Sequence, residues 1–484
     1  MRSILVGHSY FLRLDPKQFE RAKPYPPLAT LQVAATLRDA GHRVCLFDAM
    51  LAEDTREYEL KLLRECPEVV VLYEDNFNFL TKMCLAAMRD ACCQMIAAAR
   101  AAGARVIVAG SDATDAPDAY LAAGADVTLI GEGLGTLEAL IQRLDQDLHL
   151  SVSQLTQRLT GLAFRDSGGS VQRVAAAHAP VAAAPSELPA WDLVDIGRYR
   201  AVWLAAHGQF SLNMHASRGC PFRCNWCAKP IWGNQYAQRA PEAVAREFAY
   251  LKRNYRPDHI WFADDIFGFR PAWVARFAQL VRQSEALIPF TIQIRADITT
   301  DAMAAALSEA GCAEAWIGAE SGSQRILDAM NKGTTVEEIL AARERLRAHG
   351  IRVGFFIQLG YLGEQLPDIL ATRELLAAAR PDDVGVSVAY PLPGTQFYEQ
   401  VKGQFLNGKT HWRDSGDLAM MFRGTYSSDF YRRIRNLLHE QVTVGQLDRA
   451  PHAARYRQAE RRLARRWAAL QTDEQRFRVR PALS

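Results

Sequence analysis

The 484-residue chain predicts an α/β protein: a doubly wound parallel sheet, a connector, a partial (β/α)6 barrel and a helical C-terminal region. Three observations predict this. Short β-rich runs alternate with longer helical stretches in residues 1–145 and again in 211–400, the pattern of parallel strands joined by helices. Helical stretches of the first series close on Gly41 and Gly103, as helix ends do. Cysteines 220, 224 and 227 follow the first strand of the second series, where a barrel gathers its site.

In chain order, residues 1–145 predict strands over Ser3–Gly7, Arg43–Phe47, Val69–Tyr73, Arg105–Ala109 and Asp126–Ile130, with helices such as Leu28–Ala40 and Met83–Ala102 between them. Ligands of such sheets bind at the carboxyl ends of the strands. Here those ends are Gly7-His8-Ser9, Tyr73-Glu74-Asp75-Asn76, Gly110-Ser111-Asp112 and Gly131-Glu132-Gly133. Residues 146–210 read as a connector, with a hairpin around Ser167-Gly168-Gly169 and an extended linker from Ala175 to Pro189. Residues 211–400 predict strands over Ser211–Ala216, His259–Ala263, Phe290–Arg295, Ala315–Ala319, Val353–Leu359 and Gly385–Ala389. Residues 401–484 are mostly helical and arginine-rich. The run Glu460–Trp467 reads as an amphipathic helix packing Leu463, Trp467 and Leu470, with its arginines in solvent rather than on nucleic acid.

Composition narrows the function classes. Hydrophobic residues make up 49% and charged residues 23%, ordinary for a soluble protein, and a net charge of +3 is too small to favour nucleic acid or an anionic membrane. No run approaches the ~20 apolar residues of a membrane helix. The start, Met1 to His8, turns polar too early for a signal peptide, and Cys45, Cys66, Cys84, Cys92, Cys93 and Cys312 read as buried thiols of a reducing cytosol. The expected location is cytoplasmic.

Cys220, Cys224 and Cys227 stand in the run Ser217-Arg218-Gly219-Cys220-Pro221-Phe222-Arg223-Cys224-Asn225-Trp226-Cys227, spaced C-x3-C-x2-C. Three thiolates can hold three irons of a cubane and leave the fourth iron open to a non-protein ligand. A disulfide leaves one of the three over, and a structural zinc needs a fourth ligand, which His215 could supply.

This loop, with Trp226 just before its third cysteine, resembles the signature of the radical S-adenosylmethionine (SAM) enzymes. The resemblance extends through Phe262-Ala263-Asp264-Asp265-Ile266-Phe267, Gly318-Ala319-Glu320-Ser321-Gly322-Ser323, Met330-Asn331-Lys332-Gly333-Thr334 and Pro391-Leu392-Pro393-Gly394-Thr395. Together with Ala123–Asp126, Ile130–Gly133 and Leu188–Asp192, these runs are similar to the subgroup with an N-terminal cobalamin-binding domain, including class B-like methyltransferases and the anaerobic Mg-protoporphyrin monomethyl ester cyclase group. The resemblance implies a Rossmann-like cobalamin-binding domain at 1–145, a connector at 146–210 and the radical SAM barrel at 211–400, then the helical region at 401–484. It implies three cofactors: a [4Fe–4S] cluster on Cys220, Cys224 and Cys227, SAM and cobalamin.

For SAM the resemblance implies Trp226 near the adenine, Asp264 and Asp265 facing the amino group, and Glu320 at the ribose or the amino-acid end. Ser321 stands beside Glu320, and Ser321 or Ser323 could instead cap the next helix. Arg295 would meet the SAM carboxylate or form an ion pair with Asp297. Gln358 and Tyr390 face the same strand ends. For cobalamin the candidates are Gly110, Ser111, Gly131, Glu132, Gly133, Tyr73 and Asn76. The histidine of Asp-x-His-x-x-Gly is absent, so a side chain from Tyr73–Asn78 would face the cobalt or leave it without a protein ligand.

The implied activity is reductive cleavage of SAM to a 5′-deoxyadenosyl radical, leading to methylation of an unactivated carbon of a small-molecule or natural-product substrate. The alternative keeps the cofactors and carries out radical cyclisation, ring contraction or oxidation. A tRNA methylthiotransferase would need a second three-cysteine cluster, for which Cys45, Cys66 and Cys84 are too dispersed; a zinc-bound non-enzymatic module would be colourless. The expected partners are the small-molecule substrate and an electron donor such as flavodoxin or ferredoxin, with no membrane and no nucleic acid.

Overall fold

The computed structural model describes residues 1–78, 86–176, 188–227, 235–406, 418–447 and 453–479. Their contacts form two bodies: one holds the described residues from Met1 to Ala263 apart from Phe222–Cys227, the other Phe222–Cys227 and those from Asp264 onward, residues 407–417 lying outside the description.

The first body is built on a seven-stranded sheet. Its strands are β1 (Ser3–Gly7), β2 (Arg43–Phe47), β3 (Val69–Tyr73), β4 (Arg105–Ala109), β5 (Val127–Leu129), β6 (Leu162–Arg165) and β7 (Val171–Val174), in the order β2-β1-β3-β4-β5-β6-β7. The first five run parallel, with Val6 opposite Leu46 on one side and Val71 on the other. β3 is buried at all five positions, as a strand covered on both faces must be. Leu5, Val70, Leu72, Val106 and Val108 pack with Ala91, Cys92, Met95, Ile96 and Ala99 of the helix Ala86–Ala101. β6 and β7, the expected hairpin, pair antiparallel and extend this sheet from β5.

The order β2-β1-β3 reverses direction at β1, and a doubly wound sheet opens its ligand crevice beyond the strand ends at that point. His8, Ser9 and Glu74 therefore stand at the crevice position.

The same body holds β8 (Ser211–Met214) paired in parallel with β11 (His259–Phe262), and a short antiparallel ladder of β9 (Ser217–Gly219) with β10 (Tyr236–Gln238). The sequence pattern does not foresee that ladder. It joins Gly219, beside Cys220, to Tyr236.

The second body carries β12 (Phe290–Ile294), β13 (Cys312–Glu320), β14 (Arg352–Leu359) and β15 (Asp383–Val388), parallel neighbours in that order. With β8 and β11 these are the six strands expected of the partial barrel. Bounds differ at the ends: β13 begins at Cys312, three residues before the expected Ala315, and β8 stops at Met214 rather than Ala216. Helices Ser428–Leu447 and Ala453–Asp473 form the C-terminal region. Leu463, Trp467 and Leu470 are buried as expected, while Arg462 and Arg466 pair with Glu440. Among the described residues no helix is long and apolar enough to cross a membrane. The start of the expected helix at Met83, together with Cys84, and most of the 175–189 linker lie outside the described residues.

Candidate active site

The cysteine loop is anchored by residues far away in sequence. In the second body, the Asn225 N–H donates to the Met330 carbonyl at 3.0 Å and the Phe397 N–H donates to the Asn225 carbonyl at 3.0 Å. The Asn225 side chain donates to the Ala329 carbonyl at 2.8 Å and accepts from the Tyr361 hydroxyl at 2.8 Å. Asn331, in the left-handed region at φ +51, donates from its side chain to the Arg223 carbonyl at 2.9 Å. Asparagine tolerates that conformation better than most residues. Asn225, Asn331 and Tyr361 are thus positioning residues that the motif reading misses. The signal lay in the Asn331-Lys332-Gly333 turn, whose partner the sequence does not name.

None of the three cysteines is in a disulfide: Cys220 is buried and Cys224 and Cys227 are half-buried. Among the described residues no three His, Cys, Asp or Glu side chains converge on a single ion. A cubane asks for something else, one thiolate for each of three irons. His215, the candidate fourth zinc ligand, is fully buried, stacks on Phe77 with ring centroids 4.4 Å apart and contacts Gln32 through Nε2. Burial holds its imidazole well below the usual histidine range, with Arg239 and Arg218 adding to the effect.

Two charged pairs lie beside Cys224. Arg295, ending β12, points Nη1 at the Cys224 sulfur at 3.7 Å and makes a forked pair with Asp297, both contacts 2.9 Å. The ion pair is therefore the alternative this structure displays. Glu320 ends β13 at φ +60, a backbone region rare for a side-chain-bearing residue, beside a break in the β13–β14 register. That twist turns its carboxylate back over Gly318 to accept from the Lys332 ammonium at 2.8 Å. A Cβ on Gly318 would stand 2.6 Å from both Glu320 Oε1 and Lys332 Nζ, so only glycine leaves room for the pair. Burial disfavours the Lys332 ammonium, but Glu320 and then Cys224 outweigh it and raise its pKa.

The other residues expected at this site divide into two groups. Asp264 and Gln358 are buried, Asp265, Trp226 and Tyr390 half-buried. Trp226 Nε1, Gln358 Oε1 and Thr334 Oγ1 are buried without a hydrogen-bond partner, a state that a polar ligand would relieve. Ser321 is fully buried and meets the Thr372 hydroxyl at 3.3 Å. Ser323 occupies the N-cap of helix Gln324–Ala329 but makes no side-chain cap; its hydroxyl donates to Asp368 at 2.6 Å instead. The capping expectation is thus corrected, because a nearby carboxylate outcompetes the helix N–H groups.

In the first body, Glu74 is buried and accepts from Ser9 twice, from N–H at 3.0 Å and from the hydroxyl at 2.6 Å. Burial pushes the Glu74 and Asp75 carboxyls above the usual range. A Cβ on Gly110 would lie 2.8 Å from Glu74 Cγ, so it is the glycine that lets the Glu74 side chain pack against this buried backbone. The Tyr73 hydroxyl donates to the Glu132 carbonyl at 2.7 Å, and Gly131 N–H donates to Thr114 at 3.0 Å, tying the β3 and β5 ends together. Asn76 is buried with neither side-chain amide atom hydrogen-bonded, and His8 Nδ1 is in the same state. Glu132 pairs with Arg218, which also donates to Gln32. Ser111 opens the short helix Ser111–Asp115 and is half-buried, and Gly133 precedes the helix Leu134–Gln146.

Parallel strands thus carry a three-cysteine loop without a disulfide, and charged pairs stand at strand ends of the second body. Residues 214–376 match the model of the radical SAM superfamily, so the chain carries a radical SAM domain, which implies a [4Fe–4S] cluster and SAM. The chain is similar to an uncharacterised methyltransferase of Pyrococcus horikoshii, 26% identical over 60% of this chain and 60% of the relative. It is also similar to the anaerobic magnesium-protoporphyrin IX monomethyl ester cyclase of Rubrivivax gelatinosus, 22% identical over 57% of this chain and 49% of that enzyme. The chain thus spans between about half and three fifths of these relatives' length. Among solved structures it shares its fold with the radical SAM methyltransferase TsrM from Kitasatospora setae, a structure with cobalamin and a [4Fe–4S] cluster bound. The TM-score is 0.63 at 18% identity, covering 83% of this chain and 77% of that one.

Proposed function

We propose that the protein is a cobalamin-dependent radical SAM enzyme that methylates an unactivated carbon of a small-molecule substrate. The carrying observation is the C-x3-C-x2-C loop, without a disulfide, in the stretch that matches the radical SAM model, fixed by Asn225 against the 329–331 turn beside the Glu320–Lys332 and Arg295–Asp297 pairs. When bound, the cluster and SAM supply a carbon-centred radical and cobalamin supplies the methyl group.

The chain's own residues hold and orient. Cys220, Cys224 and Cys227 would ligate three irons. Asp264 and Asp265 would face the SAM ammonium, a charge-assisted pairing. Trp226, Thr334 and Gln358 offer their unpaired polar atoms to the nucleoside end. Glu320 keeps acceptor capacity on the oxygen that Lys332 does not take. For cobalamin, the half-buried Gly131–Gly133 turn offers backbone at a strand end and Gly110 stands at another, and Asn76 would satisfy its amide on the corrin's own amides. Substrate chemistry beyond a small molecule, an electron donor such as flavodoxin or ferredoxin, and a cytoplasmic location complete the reading.

The test is anaerobic reconstitution with iron, sulfide and hydroxocobalamin, then desalting and optical and electron paramagnetic resonance spectra. Near-stoichiometric cobalamin beside a reducible [4Fe–4S] signal is expected, with methionine released from SAM under reductant. A cluster without cobalamin would overturn methyl transfer through cobalt. The cyclase relative makes non-methylating radical closure the second reading. Methyl-labelled SAM separates the two, because only methyl transfer carries label into the product.

A further inference from the structure

We infer that Arg295 is a positioning residue for the cluster: it donates a hydrogen bond to the Cys224 sulfur and holds the cluster's reduction potential up, rather than binding the SAM carboxylate. The inference rests on Cys224 being a cluster ligand.

The guanidinium is fixed on every side. Nε and Nη2 fork onto the Asp297 carboxylate, both at 2.9 Å. Nη2 also donates to the Lys332 carbonyl at 2.8 Å and the Gly333 carbonyl at 3.4 Å. The plane lies over the Phe222 ring, 3.7 Å from its centroid, and the residue is only 6% exposed. With Nε and Nη2 committed, Nη1 is the nitrogen directed at Cys224, 3.7 Å from the sulfur. Moving this arginine to a carboxylate would break a forked ion pair and two backbone contacts at once. Arginine suits such duty, being planar, permanently charged and rigid in its fork.

Hydrogen bonds to cluster sulfurs and nearby net charge are among the levers that set an iron–sulfur potential. An N–H aimed at a ligating sulfur draws density from it and makes the added electron less unfavourable. The Lys332 ammonium donates to Glu320 at 2.8 Å. Arg295 is therefore the cation here with a donor pointed at the sulfur. Asp297 opposes it by drawing the guanidinium's charge away.

The experiment is a dithionite titration of the reconstituted cluster, followed by electron paramagnetic resonance, in the wild type and in Arg295→Gln, Arg295→Lys and Asp297→Asn. Arg295→Gln is expected to lower the reduced fraction at a fixed potential at least tenfold, about 59 mV for one electron. Asp297→Asn should shift the potential the opposite way, and Arg295→Lys should restore part of the loss. SAM affinity, read from its perturbation of the cluster signal, should stay within a few-fold of wild type in Arg295→Gln. An unchanged potential with weakened SAM binding would assign the arginine to SAM and overturn the inference. If Arg295→Gln takes up no cluster, Asp297→Asn decides: a raised potential supports the inference and an unchanged one overturns it. A wild type that takes up no cluster would overturn the underlying cluster assignment, a distinguishable failure.

Discussion

Glu74, just past the end of β3, and Glu320, at the end of β13, are both buried carboxyls at the carboxyl ends of parallel strands, yet they are kept differently. Among the described residues the hydrogen bonds on Glu74 come from neutral donors, the N–H and hydroxyl of Ser9, and burial pushes its carboxyl upward against the pull of His8. Glu320 has the Lys332 ammonium at 2.8 Å. The first sheet's crevice thus raises the proton affinity of its carboxyls, compatible with an amide-rich neutral ligand. The second body keeps charges already paired and oriented, compatible with a zwitterion that must be aligned. Removing one partner of a buried ion pair leaves an uncompensated charge, whereas neutralising a protonated acid does not.

The largest effect belongs to the cysteine loop. Cys224→Ala should abolish cluster uptake and SAM cleavage; retained iron and turnover would break the distinction between the two regions at its root. Next comes Glu364, the second body's exception, a buried carboxyl on which burial outweighs the pull of Arg325. Its Oε2 accepts from Gly360 N–H at 2.7 Å, and burial pushes its pKa up to about 8. The folded state then holds a proton that the unfolded chain releases above the ordinary value. Glu364's own contribution to stability is full below pH 4.5 and falls as pH rises towards 8, by up to about 5 kcal/mol. Glu364→Gln should flatten that fall in denaturant titrations at pH 5 and 8, and an unchanged slope would refute it.

Lys332→Met strands Glu320 and should destabilise the fold by about 3–5 kcal/mol, measured by chemical denaturation at neutral pH. A smaller effect is expected from Gly110→Ala, whose added Cβ meets Glu74. Cobalamin retention after desalting should weaken about tenfold, ~1.4 kcal/mol, with the cluster unaffected. Smallest is Glu74→Gln, which leaves an acceptor for Ser9 and should change stability by less than ~1 kcal/mol. A Glu74→Gln loss as large as that of Lys332→Met would erase the contrast.

What is legible in the sequence follows range. Val69–Tyr73 reads correctly as a strand because an unbroken apolar run opening on three valines and bounded by Glu68 and Glu74 has few other uses, and its observed bounds are identical. The Ser217–Gly219 ladder does not, since three residues carry no periodicity and the partner Tyr236–Gln238 lies well beyond it in the sequence. Cys220, Cys224 and Cys227 are legible because their spacing is local. Lys332 is visible as part of a motif, but its pairing depends on a left-handed Glu320 and a bare Gly318, which appear only when the strands are assembled. Tyr361 reaches Asn225 across the fold, and nothing in either neighbourhood announces the other.

The pairing of Glu132 with Arg218 bears on how the molecule can be dissected. Residues 1–145, expressed as a fragment, would lose the guanidinium that answers Glu132 and also contacts Gln32, and the imidazole stacked on Phe77. Burial would then act on Glu132 without its cation, since Arg218 is what pulls that carboxyl's pKa back down. An isolated front segment should consequently be a poor reporter of corrin affinity, and grafting it onto another barrel would require carrying His215 and Arg218 along as part of the graft.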